Sequence, residues 1–365
     1  MNNRWLWLSK SFSSQPEKAI KLFKHFGDID NIWNANAQDY LQVQGISLQD
    51  TKKLLQNKSE SVIKEVERIL MKKQISWIAI DEETYPLALK HIYDPPCVLF
   101  YRGILPVSDR LSLGIVGTRR ASNYAREATL RIGRELAEAG VQIISGMARG
   151  VDTFAHEGAL SATSDERGKT FAVLGCGLDL CYPAENHRLM KQLMEHGGVI
   201  SEYLPGTPPM KHTFPLRNRI ISGLSQGIII SEAARKSGSL ITSDYALEHG
   251  RDIFVIPGRI YDPACEGSNQ LLKQGAKAIL QAADILEEYQ INEQRQLDFF
   301  ALQDPLGENE KKIYEYMSFD PISLDTLVTV SGQPLRELLC ILFALESKGL
   351  IKQIYGRGYY RTLMT

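Results

Sequence analysis

The sequence has no excess of charge of either sign: over 365 residues, 42 Lys and Arg stand against 43 Asp and Glu, a formal net charge of −1. A chain that coats nucleic acid through a broad basic field is excluded, so any anion site has to be a local cluster. Long apolar runs are also missing. No stretch approaches the ~18–20 residues needed to span a bilayer. Met1–Lys10 is apolar only briefly and lacks the small-residue cleavage pattern of an exported leader, so the expected address is cytoplasmic. Cysteine is scarce, and the five present (Cys97, Cys176, Cys181, Cys265 and Cys340) form no CxxC pair. No zinc site is expected, and the thiols read as buried or loop residues of a reducing compartment. Two glycine patterns are absent as well. The turn Gly117–Ser122 (GTRRAS) lacks the GxGxxG spacing, and Gly175-Cys176-Gly177 supplies only half of it, with a leucine where the third glycine belongs. The pattern GxxxxGK[ST] does not occur. Neither NAD nor ATP is expected as a cofactor.

What remains is an ordinary folded composition, 44% hydrophobic, long enough for two or three domains of ~100–200 residues. Three parts are expected. Residues 1–75 carry apolar positions such as Ile20, Phe23, Ile32 and Trp33 at helical spacing. The segment Val43-Gln44-Gly45-Ile46 joins two helical runs there, and resembles the hairpin of a helix–hairpin–helix or sterile-alpha-motif-like module; a purely structural helical cap fits the same pattern. Residues 76–290 begin with a proline-containing connector, Ile75–Tyr101, whose Tyr85-Pro86 and Asp94-Pro95-Pro96 favour an extended path. Short β-branched runs then alternate with amphipathic helices. The strand candidates are Leu113–Val116, Val141–Ile144, Phe171–Leu174, Val199–Ser201, Ile228–Ile230, Ile253–Ile256 and Lys277–Leu280, with helices such as Tyr124–Ala139 and Ser239–His249 between them. Such alternation predicts an α/β domain with a parallel sheet covered on both faces. A polar linker follows Gln290. Residues 305–365 then read as three helices and a β-hairpin turning at Tyr355–Tyr360, the outline of a winged helix.

In an open parallel sheet, ligands bind beyond the carboxyl ends of the strands. The chemically unusual residues fall there, strand after strand: Gly117, Thr118, Arg119 and Ser122; Ser145, Gly146, Arg149 and Asp152; Gly175 and Gly177; Glu202, then a long loop ending Lys211 to Arg219; Glu232 with Lys236, Ser237, Gly238 and Ser239; and Pro257-Gly258-Arg259. Glycines admit a ligand close to the backbone, and helix N-termini offer N–H groups to an anion. Ser122, Ser145 and Ser239 stand where helices would start and are candidate caps. Turn geometry alone explains any one loop. It does not explain the set Arg119, Lys211, Arg217, Arg219 and Lys236, which favours an anion site. Phe214, flanked by Lys211 and the Arg217–Arg219 pair, suits base stacking beside phosphate binding; anchoring the loop on the core fits equally. Ser145, Asp152 and His156 invite a hydrolase triad, but Ser145 has no nucleophile-elbow sequence, and organising hydrogen bonds are the preferred reading. Glu202 and Glu232 are expected to order loop N–H groups or to pair with an arginine.

In order, GTRRASNY, SGMARGVDTFAH, FAVLGCGLDLCYPAENHRL, SEYLPG, FPLRNRIISGLSQG, SEAARKSGSLIT and IPGR resemble the DNA-processing protein A family (DprA, also called Smf) over Ile104 to about Leu286. The resemblance implies a Rossmann-like domain, flanked by the helical and winged-helix domains, that binds single-stranded DNA without sequence preference. It further implies a homodimer that loads the RecA recombinase, displaces single-strand-binding protein and supports natural transformation, with no catalytic activity. The family's DNA contacts map onto Arg119, Lys211, Phe214, Arg217, Asn218 and Arg219, with Lys236, Ser237 and Gly238 in the SGS loop. The family motif after the first strand usually ends Tyr-Gly; here Tyr124 is followed by Ala125, which favours a continuing helix. The competing class is a Rossmann-like nucleotide hydrolase. Enzymes of that kind carry a PGGxGTxxE stretch, which SGSLITSDYALEHG lacks.

The tail is less explicit. Its recognition-helix candidate, Pro334–Lys348, is nearly all apolar, with Arg336 and Glu337 on its polar face. Lys352, Arg357 and Arg361 of the hairpin are offset by acidic residues including Asp304, Glu310, Asp320 and Glu346. A partner surface or an auxiliary DNA contact suits this charge better than duplex readout. The dimer is implied by the resemblance only and is not readable from the pattern, although the outer helices of a parallel sheet can hide an interface and Ile228–Leu247 and Ile253–Ile256 are apolar enough for one.

Overall fold

The computed structural model describes residues 2–13, 15–291, 307–318, 321–348, 350–354 and 358–361. The linker expected after Gln290 therefore lies mostly outside the described residues, as do Asp304, Asp320 and the hairpin turn with Arg357. The chain starts with short helices: α1 (Arg4–Ser11), α2 (Glu17–Phe26), α3 (Ile29–Asn34), α4 (Ala37–Leu41), α5 (Leu48–Asn57) and α6 (Glu60–Lys72). Their starts are written locally. Asn36 with Asp39, and Ser47 with Asp50, form reciprocal capping boxes at α4 and α5. In α6, Ile63, Val66 and Leu70 are buried at helical spacing. The turn at Gly45, whose φ is +87°, delivers α5 back onto α1, where Trp5, Leu6, Trp7 and Leu8 are all sealed from solvent.

The main sheet follows. Its elements are β1 (Ser76–Ala79), α7 (Leu87–Lys90), β2 (Val98–Gly103), β3 (Ser112–Val116), α8 (Asn123–Glu138), β4 (Gln142–Ser145), α9 (Val151–Leu160), β5 (Thr170–Leu174), α10 (His187–His196), β6 (Gly197–Ser201), α11 (Thr213–Gly223), β7 (Gly227–Ile230), α12 (Leu240–Glu248), β8 (Asp252–Val255), α13 (Glu266–Lys273), β9 (Lys277–Ala278) and α14 (Ala283–Glu288). The strand order is β1-β2-β6-β5-β4-β3-β7-β8-β9. From β6 to β9 every pairing is parallel, while β1 and β2 extend the sheet antiparallel beyond β6. Each parallel strand expected from the sequence is present within a few residues. The connector, in contrast, is more than an extended approach, because it supplies two strands of the sheet.

Both faces of the sheet are dry, and the side chains divide by the two-residue period of a strand. Leu113, Ile115, Ile143, Ile229 and Phe254 face α8, α9 and α14. Val116, Ile144, Ile228, Ile230 and Val255 face the other way, into an apolar cluster that continues to Trp5 and Leu54. The N-terminal helices thus share one core with that face. Ile228–Ile230 and Phe254–Ile256 are inside the sheet, so within these stretches the outer helix α12 is the part left to meet another copy. Of those stretches, Leu247 is the large apolar side chain turned fully outward, 67% exposed.

The tail holds α15 (Glu308–Glu315), α16 (Leu324–Ser331), α17 (Leu335–Ser347), β10 (Ile351–Ile354) and β11 (Gly358–Arg361), closed around Ile313, Leu327, Leu338, Leu342, Leu345 and Ile351. An isolated bridge from Ile322 to Tyr359 adds a third segment to the hairpin. Helices followed by an antiparallel hairpin match the winged-helix outline.

Helices α8 and α9 pack backbone against backbone at two glycines. A Cβ at Gly158 would strike the backbone carbonyl of Leu130, and one at Gly133 would stand 3.0 Å from the Ala155 carbonyl oxygen. Backbone cannot yield as a side-chain tip can. Gly158→Ala is expected to lose about 1–3 kcal/mol, read as a lowered urea midpoint with unchanged slope; an unchanged midpoint would mean the two helices separate freely.

Candidate nucleic-acid interface

Strand order reverses between β3 and β7, and the loops leaving their carboxyl ends meet there. The Thr118 N–H donates to the Glu232 carbonyl (2.7 Å). The Glu232 carboxylate accepts from the Ser122 N–H (3.2 Å) and the Ser122 hydroxyl (2.5 Å). Ser122 in turn accepts from the Ala125 N–H and so caps α8. Glu232 is therefore the loop organiser that its position suggested. Gly117 is required because a Cβ would stand 2.6 Å from Val151 Cγ2 and 2.9 Å from the Glu232 carbonyl oxygen. The loop is held so that Arg119 and Arg120 point outward and are exposed.

Helix α11 supplies the opposite wall. Residues read as a loop from the sequence are helical from Thr213, with Pro215 in the first turn, where a missing N–H costs nothing. Phe214 and Asn218 are four apart and share one face. The Arg119 guanidinium lies over the Phe214 ring, 5.4 Å from its centroid, and the Asn218 amide donates to the Gly238 carbonyl (3.3 Å). Arg119, Phe214, Asn218 and the Ser237–Ser239 loop are thus brought together. Lys211 and Lys236 are exposed on the flanking segments. A residue that the sequence reading passed over joins them: Tyr182, 44% exposed, packs its ring 5.4 Å from Phe214. The signal was available, since Tyr182 lies in the same third-strand motif as Gly175 and Gly177. Phe214 itself is half-buried against Gly175, so anchoring and ring contact coexist.

Arg217 and Arg219 do not join the exposed set. Arg217 is only 4% exposed; it donates to the Val173 carbonyl and fills the space that a Cβ at Gly146 would take. Gly146 is thus small to seat an arginine, not a ligand. Arg219, at 1% exposure, lies between Glu202 (2.5 Å) and Asp94 (3.2 Å). At about 100° per residue, a side chain one position past Asn218 turns away from the rim. Both arginines are corrections to the expected phosphate groove.

Two cap assignments also change. Ser145 donates to the Ile115 carbonyl (2.6 Å) and caps nothing. Ser239 exchanges a hydrogen bond with the Ser237 hydroxyl (2.8 Å) and makes no side-chain cap to α12. Ser145, Asp152 and His156 form no triad. Asp152 accepts from the Ala148 N–H (3.3 Å), and burial pushes its carboxyl up to about 6 against the pull of Arg217. His156 shares a hydrogen bond with Thr170, and burial, with Arg217, pushes it down to about 3. Burial likewise pushes Glu202 up to about 7, with Arg219 opposing. Among the described residues no group of three or more His, Cys, Asp or Glu could hold a metal ion, and no single helix is long and apolar enough to cross a membrane.

The Arg219 assignment is testable through stability. Arg219→Leu strands Glu202 in the core and is expected to lose about 3–5 kcal/mol. Adding Glu202→Leu should recover most of that loss. If Arg219→Leu unfolds at the wild-type urea midpoint, the buried clamp is wrong.

Comparison with known proteins places this geometry. The family described as DNA recombination-mediator protein A matches residues 76–290, and the DprA winged helix domain matches residues 301–357. The DNA processing protein DprA of Bacillus subtilis is 41% identical over 238 residues, 64% of this chain and 79% of the relative. Protein Smf of Synechocystis is 31% identical over 98% of both chains. The crystal structure of DprA from Streptococcus pneumoniae superposes with a TM-score of 0.69 at 34% identity, covering 79% of this chain and 98% of that one. A Helicobacter pylori DNA processing protein A, from a study of its single-stranded DNA binding mode, gives a TM-score of 0.53 at 34% identity over 60% of this chain and 96% of that one. With its central domain and its tail both matched, the chain belongs to the DNA recombination-mediator protein A family.

Proposed function

We propose that this chain binds single-stranded DNA without sequence preference along the β3–β7 rim, as a binding protein and not an enzyme. The observation that carries the reading is the contact of an exposed guanidinium, Arg119, with the Phe214 ring, itself against Tyr182. Charge for phosphates and aromatic faces for bases then stand side by side, the pairing that single strands require. Arg119, Lys211 and Lys236 supply the charge. Tyr182 and Phe214 supply the stacking surface, and Asn218 with Ser237–Ser239 supplies polar contacts. Gly117, Thr118, Ser122 and Gly146 shape the loops, while Arg217 and Arg219 hold α11 in place. The H. pylori relative, 34% identical, supports the ligand class.

As a member of its family the chain, in this reading, acts in the cytoplasm as a homodimer. It displaces single-strand-binding protein and loads RecA onto incoming strands in natural transformation. Leu247 on α12 is the apolar contact proposed for the dimer.

The decisive measurement is binding of a fluorescent oligonucleotide across a range of salt, with matched duplex as competitor. For each tenfold rise in salt, log K should fall by ~0.7 per phosphate neutralised, so Arg119→Ala/Lys211→Ala weakens binding and flattens the slope of log K against log salt by about 1.4. Tyr182→Ala should weaken binding about 5- to 150-fold with the slope unchanged, because it removes stacking and no charge. Equal binding by the double variant overturns the rim assignment. Release of free base from nucleoside monophosphates would favour the hydrolase class instead.

The dimer is tested separately. Leu247→Arg is expected to sediment as a monomer where the wild type sediments as a dimer, with affinity for short strands retained. A dimer that persists moves the contact elsewhere.

A further inference from the structure

Helix α17 carries an exposed apolar stripe beside the face that it buries in its own core. Leu338, Leu342 and Leu345 are buried, while Leu335 and Leu339 are exposed and Phe343 is 73% exposed. This is the helix that a winged helix would present to a DNA groove, and its outer surface is wrong for a phosphate backbone. The pattern is specific. Arg336, Leu339, Phe343 and Glu346 follow the a, d, a, d spacing of a heptad. All four are exposed and, at 3.6 residues per turn, fall within an arc of about 80°. The charged residues close the two ends of the apolar pair. Glu346 is also oriented, since its carboxylate accepts from the Gln353 N–H of β10 (3.3 Å).

We propose that this face docks on the same face of a second copy of the chain, with the two α17 helices antiparallel. Charge decides the occupant and the direction. In an antiparallel pair each a position meets a d position of the other helix. A two-fold axis midway between Leu339 and Phe343 along the seam then sets Arg336 against the second copy's Glu346, and Leu339 against its Phe343, each twice. A parallel pair would set Arg336 against Arg336 and Glu346 against Glu346, which is repulsive. The stripe is therefore complementary to itself in one direction only. It is small beside the ~1,200 Å² of a standard interface, so the contact is weak for free copies. It strengthens where copies are already held close, as on one long strand. Leu247 on α12 belongs to another part of the chain, so the two contacts are independent and together link copies into larger assemblies.

Sedimentation equilibrium of the full-length chain, taken to high micromolar concentration, reads the association constant directly. Phe343→Glu is expected to lower it at least about tenfold. Arg336→Glu and Glu346→Arg alone should each lower it about fivefold, since two symmetry-related ion pairs become repulsions. The combined Arg336→Glu/Glu346→Arg chain should return to within about twofold of wild type, because both pairs re-form with their signs exchanged. Arg336 and Phe343 are exposed, so thermal melting should not move in Arg336→Glu or Phe343→Glu; Glu346→Arg also loses the Gln353 bond and is compared at temperatures below its own melt, and affinity for a short single strand should stay constant in all of them. A double reversal as weak as either single one overturns the antiparallel pair. Association unchanged in Phe343→Glu overturns self-docking altogether; if duplex binding falls in that variant instead, the face belongs to DNA.

Discussion

A guanidinium removed from water fixes where the rim residues point. Arg219 lies between Glu202 at the end of β6 and Asp94 in the segment before β2. Taking such a charge inside costs several kcal/mol unless partners stand on it, so α11 has one rotational setting that keeps both carboxylates in place. That setting also decides what faces outward. Turn the helix by one residue, about 100°, and Arg219 reaches the rim while Phe214 and Asn218 leave it. Arg217 enforces the same choice from another side, through Val173 and the hollow left by Gly146. Two arginines that look like ligand contacts are what allow an aromatic ring and an amide to be presented.

The same economy governs the loops. Gly117 lets the first loop pass under the Glu232 carbonyl, and Gly150, at φ +74°, does so beneath Thr118. Glu232 gathers the Ser122 N–H and hydroxyl, so the carboxylate on this rim is already engaged with donors and leaves Arg119 to face outward. In a chain with a net charge of −1, attraction for a polyanion has to be made this way, by choosing which charges are neutralised internally.

Much of this was legible in the sequence, and the exceptions share a cause. The parallel strands are β-branched runs buried on both faces, a pattern with few alternatives. β1 and β2 escape the sequence reading because Pro86, Pro95 and Pro96 between them look like the end of regular structure, when Pro86 only starts α7 and Pro95 and Pro96 only lead into β2. The start of α11 was missed for the same reason at Pro215, which is harmless in a first turn. Ser122 was read correctly as a cap because its partner is local. Ser145 and Ser239 were not, because a serine's choice of acceptor depends on tertiary neighbours: Ile115 in one case, Ser237 in the other. Arginine is the hardest residue of all to place from sequence. Arg119, Arg217 and Arg219 look alike in a motif, and only their tertiary surroundings separate the solvent-facing one from the two that face the core.

The tail makes the complementary point. Its outline is that of a DNA-binding module, yet an outline fixes only where a helix stands and not what it meets. On α17 the inward residues Leu338, Leu342 and Leu345 satisfy the fold. Its outward residues were free to vary, and they are Leu339 and Phe343 between an arginine and a glutamate. A groove-reading helix needs donors and positive charge toward phosphates; this one offers an exposed apolar seam with opposite charges at its ends. Surface side chains that the fold does not require are the ones that report what the surface is for, and here they describe another protein surface with the same seam.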